Sequence, residues 1–229
     1  MSKITKKEPS PGYPPEEGCY LRGNDYSPVV VLVILKWRRE EVPQTIEKLV
    51  RTGIESGAAL SGTLQTENVG LEKVVCNIVA NPNIRYLVVC GPESPGHFVG
   101  DCIRALYENG IDKNRRIIGT KAPAPYLFNI PEHSVDRFIR QTKLVDLVDE
   151  GSPEIIRDAV WSCYQEKPTK FKNYELSDTG AYEAEPICAK ITWRITNPAY
   201  APRGPGEQEA LEKMQELIKI LKKGASDED

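Results

Sequence analysis

Hydrophobic residues occur in two patterns that follow each other along the chain: short continuous runs, and longer segments with helical spacing. Residues 29–35 (VVVLVIL) are continuously apolar, which is typical of a strand covered on both faces of a parallel sheet. Residues 40–53 then place apolar side chains at helical spacing, with Pro43 in the first turn. Because a short apolar run, a polar loop and an amphipathic helix recur further along, the pattern predicts an α/β fold with a doubly wound, mainly parallel sheet.

The other elements are predicted from the same two patterns. We expect strands at residues 58–60, 87–90, 116–119 and 144–148, and helices at residues 71–79, 97–108, 131–141 and 153–166. Beyond residue 167 the pattern changes. Residues 189–196 alternate like a half-exposed strand, and residues 208–223 predict an amphipathic helix, for which a lid on its own domain is favoured over a dimerisation seam. The chain divides into an N-terminal arm at 1–27, an α/β domain at 28–166 and a C-terminal extension at 167–229.

Composition narrows the class of protein. The 229 residues are 40% hydrophobic, which is enough for one sizeable core. The net charge of −3 comes from 30 basic and 33 acidic residues mixed along the chain, so we expect neither nucleic acid nor anionic lipid as the main partner. The six cysteines form no CxxC pair, and four lie inside apolar patterns, which favours a reducing cytoplasm. The longest apolar run is far shorter than the roughly 20 residues that cross a bilayer, so we expect a soluble protein without a membrane span.

The chemically most informative stretch is residues 86–108. Its apolar run stops at Gly91, a loop with two prolines follows, and His97 opens a helical segment. In a parallel sheet such a loop lies at the carboxyl end of a strand, where ligands bind. The positive end of the helix dipole disfavours imidazolium, so His97 is expected to be neutral with a lone pair to donate. Asp101, Glu93 and Ser94 are the candidate acceptors for its other nitrogen, although a cap or surface role for His97 stays open.

Several other chemistries are poorly supported. The two histidines and the scattered cysteines lack the spacing of a zinc site, no GxSxG motif precedes a helix, and neither GxGxxG nor a P-loop motif occurs. A single histidine does not hold a free divalent ion, but it can be the axial ligand of a metal that a macrocycle already holds. The loops at residues 62–68, 91–96 and 119–125 are rich in small residues and suit the broad crevice that such a macrocycle needs, although ordinary turn chemistry also explains their composition.

At these residues the sequence resembles the corrinoid-carrying A subunit of tetrahydromethanopterin S-methyltransferase from methanogenic archaea. The matching segments are TENVGLEKVVCNIVANPNIRYLVVCG, the Gly96 and His97 pair followed by Gly100, ALYENGID, RIIG, NIP and VDLVD. The resemblance covers residues 17–160. It implies a Rossmann-like domain that binds a cobamide, a cobalamin-type corrinoid, with His97 as the lower axial ligand to cobalt.

The resemblance also implies a role in one-carbon metabolism. In this family the Co(I) form of the cofactor accepts a methyl group from methyl-tetrahydromethanopterin and passes it to coenzyme M, and the full membrane complex couples this to sodium export. The expected partners are other methyltransferase subunits or a separate methyltransferase. A cobamide sensor or storage protein without methyl transfer is an alternative, as is a nucleotide-binding α/β module. Besides His97, the residues expected to contact the cobamide are Thr63, Leu64, Thr66, Asn68, Gly91, Glu93, Ser94, Gly96, Gly119, Ala122 and Pro125.

The sequence departs from related patterns at two points. The family's complex-bound form carries a C-terminal membrane anchor, whereas this chain ends in a linker and a charged amphipathic segment, so we expect a soluble homologue. The DxHxxG motif of other corrinoid proteins is matched only at His97 and Gly100. Pro95 takes the aspartate position and cannot accept the imidazole proton, so Asp101 or Glu93 is expected to do so.

Overall fold

A computed structural model describes residues 4–37 and 41–191, together with positions 206, 208, 209, 212, 213 and 216. The chain has α/β architecture with a five-stranded sheet of order β1-β3-β2-β4-β5 and a separate two-stranded hairpin, β6-β7. In the five-stranded sheet, strands β2 to β5 are mutually parallel and β1 is antiparallel to β3. The predicted α/β class and mainly parallel sheet are confirmed, while the Rossmann-like, doubly wound arrangement stays a prediction. The strands are β1 Tyr20–Arg22, β2 Val29–Ile34, β3 Leu60–Leu64, β4 Tyr86–Gly91, β5 Lys143–Val148, β6 Thr169–Phe171 and β7 Tyr174–Leu176.

Within residues 41–191, five helices connect and cover the strands. They are α1 Gln44–Glu55, α2 Val69–Val79, α3 Val99–Asn109, α4 Glu132–Gln141 and α5 Pro153–Tyr164. Every residue of β2 and β4 is buried, as continuous apolar strands of a parallel sheet require. On one face of the sheet, Val31 and Val88 pack in a single core with Leu49 of α1 and Val160 of α5. Helix α2 packs with α4.

The N-terminal arm is held against the domain by asparagine side chains. Asn77 of α2 accepts from the Glu16 backbone N–H at 2.8 Å and donates to the Glu16 carbonyl at 3.0 Å. Asn83 forms the same reciprocal pair with the backbone of Lys7, at 3.0 and 2.7 Å. An amide side chain satisfies both polar groups of one residue in this way, so the arm lies along the surface without a long strand. Only β1, which pairs with β3, extends the sheet.

One predicted strand is wrong. Residues 116–119 form only isolated bridges, in which Arg116 pairs with Tyr126 and Ile117 with Ile111. Left-handed backbone at Arg115 (φ 65°) and Gly119 (φ 85°) ends an extended conformation on both sides of the segment. The positions on both sides of β4 are also taken, because β4 pairs with β2 and β5. The predicted strand at 58–60 is displaced to Leu60–Leu64, while the other strands and the helices of the domain lie close to their predicted positions.

The chain separates into two compact units, residues 1–189 and 190–229. Residues 169–176 form the β6-β7 hairpin of the first unit, and its Phe171 joins the core beside α5. In the second unit, most of the predicted strand at 189–196 lies outside the described residues, as does the apolar side of the predicted helix at 208–223. The described positions 208, 209, 212, 213 and 216 are helical. Among the described residues, no helix combines the length and apolar character that crossing a membrane requires.

Candidate functional site

Three loops of the domain meet at the carboxylate of Glu67. This residue follows β3, His97 follows β4, and Ala124 belongs to the loop at residues 119–125. Because β3 and β4 run parallel on either side of β2, their carboxyl ends lie at the same edge of the sheet. Glu67 Oε2 lies 2.8 Å from His97 Nδ1, and Oε1 accepts a hydrogen bond from the backbone N–H of Ala124 at 3.1 Å. The three loops predicted from composition are therefore held together by one side chain.

The two members of the Glu67–His97 pair differ sharply in exposure. The side chain of Glu67 is 1% exposed, whereas that of His97 is 48% exposed. An ionised carboxylate only accepts hydrogen bonds. In the neutral tautomer that fits this pair, Nδ1 therefore carries the hydrogen and donates a hydrogen bond to Glu67. The lone pair is then on Nε2, the nitrogen that Glu67 does not engage. A buried carboxylate that fixes the tautomer of a half-exposed histidine is the arrangement found behind metal-bound imidazoles.

The acceptor expected from the sequence is corrected by this geometry, because Glu93, Ser94 and Asp101 are all engaged at the start of α3. Glu93 Oε1 accepts from the N–H of Gly100 at 3.0 Å, and Glu93 Oε2 accepts from the N–H of Asp101 at 2.9 Å. Ser94 Oγ accepts from Val99 N–H at 3.2 Å. These bonds satisfy backbone donors that the first turn of a helix leaves free. Glu93 and Ser94 thus fix the start of the helix that follows His97.

Asp101 links α3 to the third loop. Its Oδ2 accepts hydrogen bonds from the hydroxyl of Thr120 and the backbone N–H of Lys121, both at 2.8 Å. Desolvation alone raises the pKa of Asp101. The two hydrogen bonds, together with the charges of Lys121 and Arg104, outweigh that effect and hold the pKa below its usual value. Asp101 therefore remains ionised at neutral pH and anchors the loop that carries Ala124.

The remaining predicted contact residues fall into separate groups. Thr63, Leu64, Thr66 and Asn68 line a cavity of about 420 Å³ between β3, α2 and the arm. Gly91 is buried, and its backbone N–H donates to the Glu150 carbonyl while its carbonyl accepts from the Asp149 N–H. Gly96 and Gly119 are exposed, whereas Ala122 and Pro125 are buried within the third loop.

Glu67 itself is the site residue that sequence reasoning missed. The sequence feature that could have identified it is its position in a polar loop directly after a strand. The loops that follow parallel strands lie together at one edge of the sheet. The composition of the loop at residues 62–68 predicts only that its small residues line a crevice. The hydrophobic periodicity does not predict which of its polar side chains is buried.

The described part of the chain has no group of three or more His, Cys, Asp or Glu side chains that could hold a metal ion. Cys102 is the thiol nearest the pair, with Sγ 3.8 Å from the Glu67 carbonyl. Burial, with the adjacent Glu67 charge, raises the pKa of this thiol to about 12, so it stays protonated and is a poor ligand.

Comparisons with known proteins agree with the resemblance seen in the sequence. The MtrA family model, which describes the A subunit of tetrahydromethanopterin S-methyltransferase, matches residues 6–196. The A 2 subunit of this enzyme from Methanothermobacter thermautotrophicus is 40% identical over 193 residues, which cover 83% of this chain and 93% of the relative. The A 1 subunit from the same organism is 36% identical, with 82% of this chain and 70% of the relative covered.

A relative from another genus gives a similar result. The A subunit from Methanocaldococcus jannaschii is 40% identical over 164 residues, covering 71% of this chain and 64% of the relative. The chain belongs to the MtrA family, that of the A subunit of tetrahydromethanopterin S-methyltransferase.

Proposed function

We propose that the protein is a cobamide-binding methyl carrier in which Nε2 of His97 is the lower axial ligand to cobalt. The observation that carries this proposal is the Glu67–His97 pair, because it presents one oriented, half-exposed imidazole nitrogen in a family whose relatives are named as methyltransferase subunits. His97 would hold a bound cobamide, and the cobamide would supply the chemistry of methyl transfer from methyl-tetrahydromethanopterin to coenzyme M.

The residues around His97 fit a planar macrocycle. Gly96 precedes the histidine with φ of 93°, and a Cβ placed there would meet no atom within 4 Å, so the backbone borders open space. Ala124, an exposed small residue of the third loop, lies at the same edge, where its backbone N–H donates to Glu67. Backbone amides in such loops are suited to the amide side chains at the corrin periphery.

The protein's own contribution is to position one nitrogen. Glu67 fixes the ring through Nδ1 and increases the electron density that Nε2 can donate. Glu67, Asp101 and Glu93 together hold the three loops and α3 in place, so the ligand atom is preorganised on rigid elements.

The proposed partners follow from the relatives. Their names describe one subunit of a larger enzyme, so we propose that other methyltransferase subunits, or a separate methyltransferase, load and unload the methyl group. Methylation of the reconstituted protein by methyl-tetrahydromethanopterin with such a partner distinguishes a carrier from a protein that only stores or senses the cofactor.

The direct test is anaerobic reconstitution with cobalamin, followed by electron paramagnetic resonance of the Co(II) form. We expect nitrogen hyperfine splitting that changes when the histidines of the protein are labelled with 15N, and we expect this effect of the label to disappear in His97→Ala. His133→Ala is the matched control, because His133 is the exposed histidine of α4 and lies outside the three loops. A spectrum that 15N-histidine leaves unchanged in the wild type would reject His97 as the ligand, and absence of corrinoid binding would reject the function.

A further inference from the structure

The segment at residues 115–128, which we call the ribbon, turns back on itself beside the candidate site. The N–H of Ile117 donates to the Pro125 carbonyl, and the N–H of Leu127 donates to the Arg115 carbonyl, both at 2.9 Å. In extended antiparallel segments successive side chains point to opposite sides. Burial follows this alternation, because Ile117, Pro125 and Leu127 are all buried against the domain.

The outer side of the ribbon carries large apolar side chains. Ile118 is 43% exposed and Phe128 is 59% exposed. Tyr126 stacks on Phe128 with ring centroids 4.8 Å apart, and the guanidinium of Arg116 lies 6.0 Å from the centroid of the Tyr126 ring. We call Ile118, Tyr126 and Phe128 the aromatic face. Single exposed apolar side chains are common on soluble proteins, whereas a group of them on one element marks an interaction surface.

The surroundings of the aromatic face are basic. Residues 112–131 contain four basic residues and one acidic residue, although the whole chain has a net charge of −3. Lys113 and Lys121 are exposed. Within the described part of the chain, neither Lys113 nor Arg116 forms an ion pair. An aromatic centre with a basic rim is complementary to an acidic protein surface that has an apolar centre.

The ribbon is joined to the candidate cobalt site through its backbone. The N–H of Ala124 donates to Glu67, the carboxylate that engages His97. The hydroxyl of Thr120 donates to Asp101, which belongs to the first turn of α3. A protein that docks on the aromatic face is therefore beside the edge of the sheet where His97 lies.

We propose that the aromatic face is the docking surface for the methyltransferase that exchanges a methyl group with this protein, and that this partner presents an acidic surface. The proposal rests on the proposed methyl-carrier function. Aromatic and arginine side chains contribute most of the binding free energy when an interface buries them, and basic residues at the rim accelerate the encounter with an acidic partner. The negative charge of the whole chain disfavours nucleic acid or an anionic membrane as the occupant.

The test varies the concentration of the methyltransferase that methylates the reduced, cobalamin-loaded protein from methyl-tetrahydromethanopterin. Phe128→Ser removes the most exposed ring of the aromatic face. Trp161→Ser is the matched control, because Trp161 is also 59% exposed but lies on α5. We expect Phe128→Ser to raise the partner concentration that gives half of the maximal rate by about tenfold or more, and to keep the maximal rate. Trp161→Ser should behave as the wild type.

The basic rim is tested with a second pair of variants. Lys113→Glu and Lys170→Glu change the net charge equally, but Lys170 is an exposed residue of β6, outside the ribbon. We expect Lys113→Glu to associate with the methyltransferase more slowly at low ionic strength, and added salt to reduce this difference. Stopped-flow fluorescence measures the association rates, and circular dichroism confirms that each variant is folded. Equal rates for the two variants would overturn the acidic character of the partner.

Methyl iodide separates docking from an effect on the cofactor. It methylates the Co(I) form of a corrinoid directly, with iodide as the leaving group, and needs no protein partner. We expect Phe128→Ser to bind cobalamin and to react with methyl iodide as the wild type does. A lower cobalamin affinity or a slower reaction in Phe128→Ser would assign the aromatic face to the cofactor site and overturn the docking proposal.

Three further outcomes separate the remaining possibilities. Equal half-maximal concentrations of the methyltransferase for Phe128→Ser and Trp161→Ser would overturn the docking proposal while leaving the carrier function intact. A wild-type dimer, detected by light scattering, that Phe128→Ser dissociates would assign the aromatic face to a second copy of this chain and also overturn the proposal. Failure of the wild type to bind cobalamin or to accept a methyl group would reject the proposed function itself.

Discussion

Glu67 is the residue on which the orientation of His97 depends. In Glu67→Gln the side chain keeps its shape but brings an amide N–H₂ that can donate to Nδ1, which moves the ring proton to Nε2 and blocks the ligand atom. Loss of such an outer partner typically weakens metal binding by about 10–100-fold. We expect a decrease of this size in cobalamin affinity, measured by absorbance titration.

The matched control for this change is Glu72→Gln. Glu72 is also a buried carboxylate that follows β3, but it bonds to Asn129 instead of a histidine. We expect Glu72→Gln to keep the cobalamin affinity of the wild type. If Glu67→Gln binds cobalamin as tightly as the control, the carboxylate has no part in ligation.

The reactivity of the six cysteine thiols reports on burial at single residues. Cys19 and Cys188 are exposed, whereas Cys76, Cys90, Cys102 and Cys163 are buried. Burial raises the pKa of Cys90 and Cys102 to about 12, so both stay in the unreactive thiol form at neutral pH. We expect an aromatic disulfide reagent to label two thiols in the folded protein and all six in denaturant. Rapid labelling of Cys102 in the folded protein would contradict the closed packing beside Glu67.

His97 can be selected from the sequence because histidine is rare here and its position before a helix is visible as a pattern. Its partner cannot be selected in the same way. Glu67 is 30 residues away from His97 along the chain. Three side chains nearer in sequence, those of Glu93, Ser94 and Asp101, are equally good candidate acceptors until their own hydrogen bonds are known. The order of the strands in the sheet decides which carboxylate contacts the imidazole. Local sequence patterns do not predict that order.

At the scale of the element, α3 begins in a tightly packed corner. A Cβ added at Gly100 would lie 2.7 Å from Glu93 Oε2 and 2.8 Å from Val148 Cγ2. The Glu93 carboxylate is held by two backbone bonds at the helix start and cannot move away without breaking them. We expect Gly100→Ala to lower the free energy of unfolding by about 1–3 kcal/mol, the usual cost of overpacking, despite the better helix propensity of alanine. Denaturant unfolding measures this change.

Gly151→Ala serves as the comparison for Gly100→Ala. A Cβ at Gly151 would meet no atom within 4 Å, so its stability should equal that of the wild type or exceed it slightly. If both alanine variants are as stable as the wild type, Glu93 and Val148 move aside easily and α3 is not held as tightly as its contacts indicate.

Elements with a strong apolar period are predictable from the sequence, and the exceptions have local causes. Strand β3 is predicted too early because Ser61, Gly62 and Thr63 are small or polar. They are nevertheless in the sheet, where β1 crosses so closely that a Cβ on Gly62 would lie 2.4 Å from Tyr20 Cβ. The segment at 116–119 shows the reverse error, since Ile117 is fully buried but inside a loop. The apolar character of Ile117 correctly predicts that it is buried. It does not predict a strand, because the backbone conformation of the segment is that of a loop.

At the scale of the whole molecule, the site exists because distant segments converge on one edge of the sheet. Glu72 makes a similar long-range link outside the three loops: it joins α2 to the segment around Asn129, which donates from its backbone N–H at 2.7 Å and from its side chain at 2.8 Å. Burial raises the pKa of Glu72 and Glu16 raises it further, although the bonds from Asn129 oppose both effects. The group therefore retains a proton more readily in the folded chain than in the unfolded chain.

This raised pKa gives the stability of the fold a definite pH dependence. Between the unfolded value, near 4.5, and the higher folded value, the folded state binds more protons, so the free energy of unfolding falls as pH rises. The slope approaches at most about 1.4 kcal/mol per pH unit for one group. Glu72→Gln has no titrating group there, so the wild type should lose stability relative to the variant as pH rises through this window. Denaturant unfolding of both proteins at several pH values measures the difference, in which the contributions of other carboxylates cancel. A difference that is constant with pH, or that changes in favour of the wild type, would show that folding does not raise the pKa of Glu72.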